Sequence, residues 1–370
     1  MNPHPDGRPI KVGVIGAGNW ANHGHLRVLD LLPDYEVVAV QARRREAAEA
    51  AASRFGIATV ADTVEELAAL PGLDLVLVLN TAPQHADTVR AVIAAGKDVY
   101  CEWPLTVDTA TAQDLLRLAR DRGVRHVVGL QRRLAPHNRY LRDLLADGFV
   151  GRLRSVRMHV STPYFHETLP QALAWTVPPE NFSSVVAIYA GHFLDMLFHA
   201  VGWPERVSAL LVNQFPEVRI AETGERIPTT NPDQLVLSGL LADGAVLSVH
   251  VEGGKRGGSG VWIDVTGDAG DLSVANTSAF GDVGDDYVVA GARGESRSLA
   301  PMPVPATYRD LPASDLPSAV LELGELYAAY ARDRQAGTRT APDFENALRL
   351  HRLFDALAVS SASGTRVDVA

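Results

Sequence analysis

The sequence predicts a doubly wound parallel α/β sheet followed by a mostly antiparallel, open-sheet α+β domain. Three observations carry this prediction. Short apolar runs alternate with helical stretches over the first third of the chain, a glycine-rich turn closes the first of those runs, and beyond residue 131 the pattern changes to strands joined by tight turns. The expected boundaries are residues 1–131 for the first domain and 132–370 for the second.

In the first domain the segments IKVGVIG (10–16), EVVAVQA (36–42), DLVLVLN (74–80), DVYCEW (98–103) and HVVGL (126–130) read as strands. They are Val-rich and continuously apolar, which suits parallel strands covered on both faces. Between them lie Ala-, Leu- and Arg-rich stretches at 44–55, 64–70 and 86–95, with Gly56, Gly72 and Gly96 placed where left-handed helix caps favour glycine. In the second domain a helix over 135–146 leads to a strand, LRSVRMHV (153–160). Past an apolar helix at 185–201, the runs RVSALLVNQ, DQLVLSGLL, AVLSVHVEGG, VWIDVTG and DLSVAN follow, several of them separated by turn residues. Helices at 316–334 and 344–359 close the chain. The glycine-rich 253–260 segment reads as a mobile loop, since no helix pattern follows it.

Composition bounds the function. At 370 residues, 46% hydrophobic and 21% charged, the chain is long enough for two globular domains. A net charge of −10 argues against a broad nucleic-acid or anionic-membrane surface. Cys101 is the single cysteine, so no intrachain disulfide forms and a cytoplasmic location is expected. The N-terminal segment MNPHPDGRPIK is polar and has no secretory-signal pattern. The apolar stretch 185–203 contains His192, Asp195 and His199, too many polar groups for lipid, and reads as a buried helix of a soluble protein.

Gly16-Ala17-Gly18-Asn19-Trp20-Ala21 follows the first strand and opens a helix, the G-x-G-x-x-G/A fingerprint of a Rossmann dinucleotide site in its required context. Gly16 permits the tight turn, Gly18 leaves room for a pyrophosphate, and Ala21 lets the helix pack closely, with Asn19 and Trp20 on the same loop. The helix N-terminus favours phosphate charge. No acid stands between Val37 and Arg45, where an NAD-preferring site places one to bond the ribose hydroxyls. Ala42 leaves space there, and Arg43 with Arg44 can clamp a 2′-phosphate, so NADP is favoured over NAD. The other reading of these arginines is a solvated helix start.

With these residues the chain resembles the Gfo/Idh/MocA family of NAD(P)-dependent oxidoreductases. Further carriers of the resemblance are Ala82-Pro83-Gln84-His85, the run from Ala95 to Leu105 containing Glu102-Trp103-Pro104, Gln131-Arg132-Arg133, Gly148-Phe149-Val150-Gly151 and Gly191-His192-Phe193-Leu194-Asp195. The resemblance implies the two-domain plan, a homodimer or homotetramer, cofactor contacts from Pro83, His85, Glu102, Trp103, Pro104 and Gln131, and a substrate helix bearing His192. Two departures stand out. The family motif Glu-Lys-Pro reads Glu102-Trp103-Pro104, and the acid expected four residues before His192 is Ile188. This variant is closest to the branch containing the galactose-regulon repressor, a relative that resembles an oxidoreductase yet acts as a dinucleotide-binding regulator.

His192 can transfer a proton near neutral pH, whereas Trp103 cannot supply a lysine's charge and can instead cap the nicotinamide or stack on a sugar. The alternative for His192 is a hydrogen-bonded core histidine. Tyr164, Tyr189 and Asp195 are candidate substrate-pocket residues, with His166 and Glu167 on the same loop as Tyr164. Gln131, Arg132 and Arg133 can hold a ligand or brace the domain junction. His192, Asp195 and His199 share a helical face, but no further ligand is in view and no metal site is expected. The expectation is an NAD(P)-dependent oxidoreductase acting on a sugar, cyclitol or related polyol or keto-sugar, with no nucleic-acid or membrane partner. The alternative is a catalytically impaired dinucleotide-binding regulator or sensor.

Overall fold

The structure, a computed structural model, describes residues 8–258, 260–279 and 287–369. The polar N-terminal stretch 1–7 and one position of the glycine-rich 253–260 segment thus lie outside the described residues. Along the chain run β1 (Ile10–Ile15), α1 (Leu26–Leu31), β2 (Tyr35–Gln41), α2 (Arg45–Phe55), β3 (Thr59–Val60), α3 (Val64–Ala68), β4 (Leu75–Val78), α4 (Ala82–Ala94), β5 (Asp98–Glu102), α5 (Thr109–Arg122) and β6 (His126–Gly129). Then come α6 (Pro136–Ala146), β7 (Leu153–Ser161), β8 (Thr168–Leu169), α7 (Gly191–Val201), β9 (Pro204–Val212), β10 (Glu217–Ile220), β11 (Arg226–Pro228) and β12 (Gln234–Leu241). The remainder is β13 (Val246–Glu252), β14 (Gly260–Gly267), β15 (Gly270–Asn276), β16 (Val288–Arg293), β17 (Ala300–Pro301), α8 (Ser318–Ala336), α9 (Phe344–Ser363) and β18 (Val367–Asp368). The chain divides into two compact units, Met1–Gln131 with Asp310–Arg349, and Arg132–Arg309 with Leu350–Ala370.

In the first unit six parallel strands lie in the order β3-β2-β1-β4-β5-β6. This is the doubly wound order in which ligands bind beyond the carboxyl ends of the strands, at the reversal between β1 and β4. The apolar runs are buried as expected: Val12, Val14, Val76, Leu77 and Val99 have no exposure. Helix ends obey local chemistry. Thr63 and Asp108 cap α3 and α5 by accepting from Glu66 N and Thr111 N, and Gly56 and Gly123 close α2 and α5 in the left-handed region. The segment 310–349 packs with this unit through α8. Tyr327 lies 2.6 Å from His25 Nδ1, the Tyr35 hydroxyl donates to the Tyr327 carbonyl, and Tyr330 and Arg334 both donate to Asp98.

The second unit is built on a nine-stranded sheet in the order β17-β16-β15-β14-β7-β13-β12-β9-β18. Every neighbouring pair is antiparallel except β7 with β13. Residues alternate along each strand. Val156, Met158, Val160, Val249, Val251, Ile263, Val265, Leu272 and Val274 are buried on one face. The opposite face carries one unbroken register row: Leu210, Val236, His250, His159, Trp262, Ala275 and Val288. A small second sheet, β11-β10-β8, closes over Leu169, Val177 and Val218.

The apolar stretch becomes a five-residue π-turn, Val186–Ala190, running into α7. Pro179–Val201 is the one stretch, among the described residues, long and apolar enough to cross a membrane, and 72% of that apolar window is buried within the protein. Its side chains form core, which explains an apolar helix that keeps His192 and Asp195.

Candidate functional site

The carboxyl edge of the six-stranded sheet gathers the residues expected to hold a dinucleotide. Gly16 has φ +104°, and a Cβ there would lie 2.7 Å from the Leu79 carbonyl, so only glycine fits this turn. Gly18 is exposed, and a Cβ on it would meet no atom within 4 Å. The protein does not need that absence for its own packing, so the open space suits an approaching phosphate group. Asn22 Nδ2 donates to the carbonyls of Ala17 and Gly18, holding the loop. Ala21 is buried and opens a π-turn, Ala21–His25, ahead of α1, while Asn19 and Trp20 are exposed beside it. Single π-turns recur at functional sites because they redirect side chains from the 3.6-residue period.

Two buried polar atoms at the same edge lack a partner: Asn80 Oδ1, just past β4, and Gln131 Oε1, just past β6. Buried acceptors without donors are costly, and their position at the ligand edge fits a bound group with hydroxyl or amide donors. Gly18, Asn80 and Gln131 therefore fit a dinucleotide. Ala42 follows β2 and is half-buried; Arg43 and Arg44 are exposed, and neither side chain makes a hydrogen bond or ion pair among the described residues. Arg45, by contrast, is engaged by Glu49 and Asp62.

Pro83 sits in the first turn of α4 and is exposed. His85 is 2% exposed, with Nδ1 2.8 Å from the Pro104 carbonyl and Nε2 3.0 Å from the Asn80 carbonyl. It thereby ties the end of β4 to the Glu102-Trp103-Pro104 turn, and burial lowers its pKa. Trp103 is 4% exposed and joined to Pro104 by a cis peptide. Glu102 Oε1 lies 2.6 Å from His25 Nε2 and accepts from the Tyr100 hydroxyl at 2.9 Å. Gly129 makes room for this arrangement, since a Cβ there would lie 2.6 Å from the Tyr100 oxygen. The His25–Glu102–Tyr100–Tyr327 cluster escaped sequence reasoning. His25 is the last residue of the π-turn, and Tyr327 is some 300 positions away in sequence.

In the second unit His192 occupies the first turn of α7 and is 6% exposed. The π-turn before it alters the arithmetic of spacing: four residues back to Ile188 no longer means one α-helical turn. Asp195 is fully buried and paired bidentately with Arg133, which donates from Nε at 2.8 Å and from Nη2 to the second oxygen. Burial raises the Asp195 pKa, and the guanidinium opposes that rise. Arg132 is also buried, lies over the Phe193 ring at 4.4 Å and donates to the Tyr287 hydroxyl. Tyr164, 49% exposed, stacks on Tyr189 at 5.7 Å, so these two come together; burial raises the Tyr189 pKa. His199 is held at a pKa of about 4 by burial and by Arg133 and Arg142. Among the described residues, no three His, Cys, Asp or Glu side chains converge as a metal-binding group.

A doubly wound sheet, a glycine turn at its reversal point and unpartnered polar atoms on its carboxyl edge define a Rossmann unit of the dinucleotide-binding kind. Residues 10–130 match the oxidoreductase family with NAD-binding Rossmann fold, GFO_IDH_MocA, and residues 136–276 match the C-terminal domain of Gal80p. The chain thus joins a Gfo/Idh/MocA-family Rossmann domain to a Gal80p-like C-terminal domain.

Among relatives, the galactose/lactose metabolism regulatory protein GAL80 of Saccharomyces cerevisiae is 25% identical over 75% of this chain and 69% of its own length. The trans-1,2-dihydrobenzene-1,2-diol dehydrogenase of Mus musculus is 34% identical over 58% of this chain and 62% of its own length. The chain thus spans about two thirds of the length of these curated relatives. Among solved structures, levoglucosan dehydrogenase in complex with NADH and levoglucosan has the same fold, with a TM-score of 0.85 at 20% identity, covering 98% of this chain and 99% of that one.

Proposed function

We propose that the protein is an NADP(H)-preferring oxidoreductase that transfers a hydride to or from a sugar, cyclitol or related polyol or keto-sugar. The observation that carries this reading is the cradle on the carboxyl edge of the first sheet, where Gly18 leaves open space and Asn80 and Gln131 present unpartnered acceptors. When bound, the nicotinamide supplies the hydride chemistry. Arg43 and Arg44, unengaged at the end of β2, hold the 2′-phosphate by charge-assisted hydrogen bonds. His192 moves the proton of the reacting hydroxyl, and the Arg133–Asp195 pair one turn further along α7 fixes the helix that presents it. Tyr164 and Tyr189 offer a stacked aromatic wall suited to a sugar face. Support for the substrate class comes from the relatives, which include a diol dehydrogenase and a levoglucosan dehydrogenase.

The test is turnover of NADPH and NADP over a panel of polyols and keto-sugars. With the active substrate, His192→Asn should lose about 100- to 10,000-fold in kcat while NADPH affinity stays within about twofold. Full turnover in that variant would overturn the assignment.

A second reading, a dinucleotide-binding regulator, is favoured by Trp103 standing where the family motif has lysine, and by GAL80 among the relatives. It predicts NADPH binding with no turnover on any panel member and a protein partner captured only with dinucleotide present.

We further propose a homo-oligomer formed through the outer face of the nine-stranded sheet. Leu210, Trp262 and Val288, 53%, 42% and 57% exposed, lie there in one register row.

A further inference from the structure

A pocket lies within the C-terminal unit, between the small three-stranded sheet and the start of β12. Its cavity volume is about 40 Å³, room for a small compound only, and part of it opens to solvent. Its wall is largely apolar, with Leu169, Val185 and Val218 and the rings of Phe165 and Phe215. One group breaks that pattern. Asp233 lines the pocket and is 4% exposed; its Oδ2 accepts from Gln214 N at 2.5 Å and Phe215 N at 3.2 Å, while Oδ1 is buried with no hydrogen-bond partner. No lysine, arginine or histidine among the described residues pairs with this carboxylate.

The other polar side chains on the wall are already committed. Thr229 and Asn231 donate to the Val177 carbonyl, Thr176 donates to the Leu173 carbonyl, and Ser184 Oγ accepts from Ala187 N. The site therefore presents a single unanswered demand, a donor for one oxygen of a buried anion. Leaving such an atom unpaired is unfavourable, because its desolvation goes uncompensated. Neutral donors would answer it, but a cation also balances the charge and forms the stronger, charge-assisted bond. Aromatic rings beside a carboxylate add cation–π attraction for an ammonium head, and the apolar wall suits a short alkyl body.

We propose that this pocket is a binding site for a small aliphatic ammonium compound, held by Asp233 Oδ1 and flanked by Phe165 and Phe215. The pocket is lined by residues of the second unit alone, and the proposal does not depend on the oxidoreductase reading. It has a structural link to α7 all the same. Phe165 meets the Tyr189 ring edge-on at 5.6 Å, and Val185 immediately precedes the π-turn that leads to His192.

The experiment is calorimetric titration of the full-length protein with n-butylammonium chloride, with n-butanol and sodium butyrate as matched neutral and anionic probes. Saturable binding of butylammonium is expected, with n-butanol at least about tenfold weaker and no binding of butyrate. Asp233→Asn keeps a carbonyl acceptor for the Gln214 and Phe215 amides but removes the charge, and should weaken butylammonium about 10- to 100-fold. Val218→Phe fills the pocket from its apolar side and should abolish binding while the far-ultraviolet spectrum and NADPH affinity stay unchanged. Absence of saturable butylammonium binding up to tens of millimolar overturns the proposal. So does equal affinity for n-butanol, or undiminished binding in either folded variant.

Discussion

Arg133→Met removes the partner of a carboxylate that has no access to solvent, and its consequences can be worked out from the structure. Asp195 is 0% exposed and Arg133 6%, and two hydrogen bonds join them. Breaking a buried pair by deleting one member costs about 3–5 kcal/mol, since the remaining charge is left uncompensated. For a unit of this size that corresponds to a melting temperature lower by about 6–20 °C. The effect carries a pH signature. Burial already raises the Asp195 pKa in the folded state above its unfolded value, and Arg133 holds it down. A group with a raised folded pKa contributes stability below its unfolded pKa and loses it as pH climbs through the folded one. Without Arg133 the folded pKa rises further, so that loss continues to higher pH, at about 1.4 kcal/mol per pH unit. Urea unfolding of wild type and variant at several pH values from 5 to 7.5 measures this directly. The deficit should widen as pH rises, and Asp195→Asn in the same background should flatten it. A deficit below about 1 kcal/mol, or one independent of pH, would refute the reasoning.

Other expectations follow from single positions. Arg43→Ala with Arg44→Ala should weaken NADPH by about 10- to 100-fold and leave NADH nearly unchanged; equal loss for both would remove the 2′-phosphate assignment. Gly18→Val should abolish measurable dinucleotide binding with little change in melting temperature, because its Cβ enters open space. Gly16→Ala, whose Cβ would press on the Leu79 carbonyl at positive φ, should instead cost about 1–3 kcal/mol of stability. Trp262→Glu should shift the sedimentation coefficient toward a monomer, and an unchanged assembly state would exclude the outer sheet face as the interface.

The parallel strands were legible because a strand covered on both faces has an apolar centre, and VGVI (12–15), LVLVL (75–79) and VVGL (127–130) are such runs. The antiparallel strands were legible from alternation and turn residues, and the fingerprint from glycines whose need is local: Gly16 requires positive φ whatever surrounds it. Spacing arguments around His192 were less secure. They assume 3.6 residues per turn, and the π-turn at Val186–Ala190 breaks that assumption. Asp195 read as a pocket candidate, yet its carboxylate is spent on Arg133, a pairing between side chains 62 positions apart. His85 likewise read as a cofactor contact, while the fold sets each of its ring nitrogens against a backbone carbonyl.

By itself the sequence determined the two kinds of sheet, the glycine turn at the first strand and the absence of an acid after the second, because each depends on neighbours along the chain. Tertiary structure alone decided that residues 310–349 pack with the Rossmann sheet, that Tyr327 and His25 meet at Glu102, and which arginine beyond β6 is locked to a buried aspartate. It also decided that Asp233 keeps one carboxylate oxygen unanswered inside an apolar pocket. Those outcomes follow from burial and charge balance among residues far apart in sequence, and local pattern carries no record of which distant partner a buried group will find.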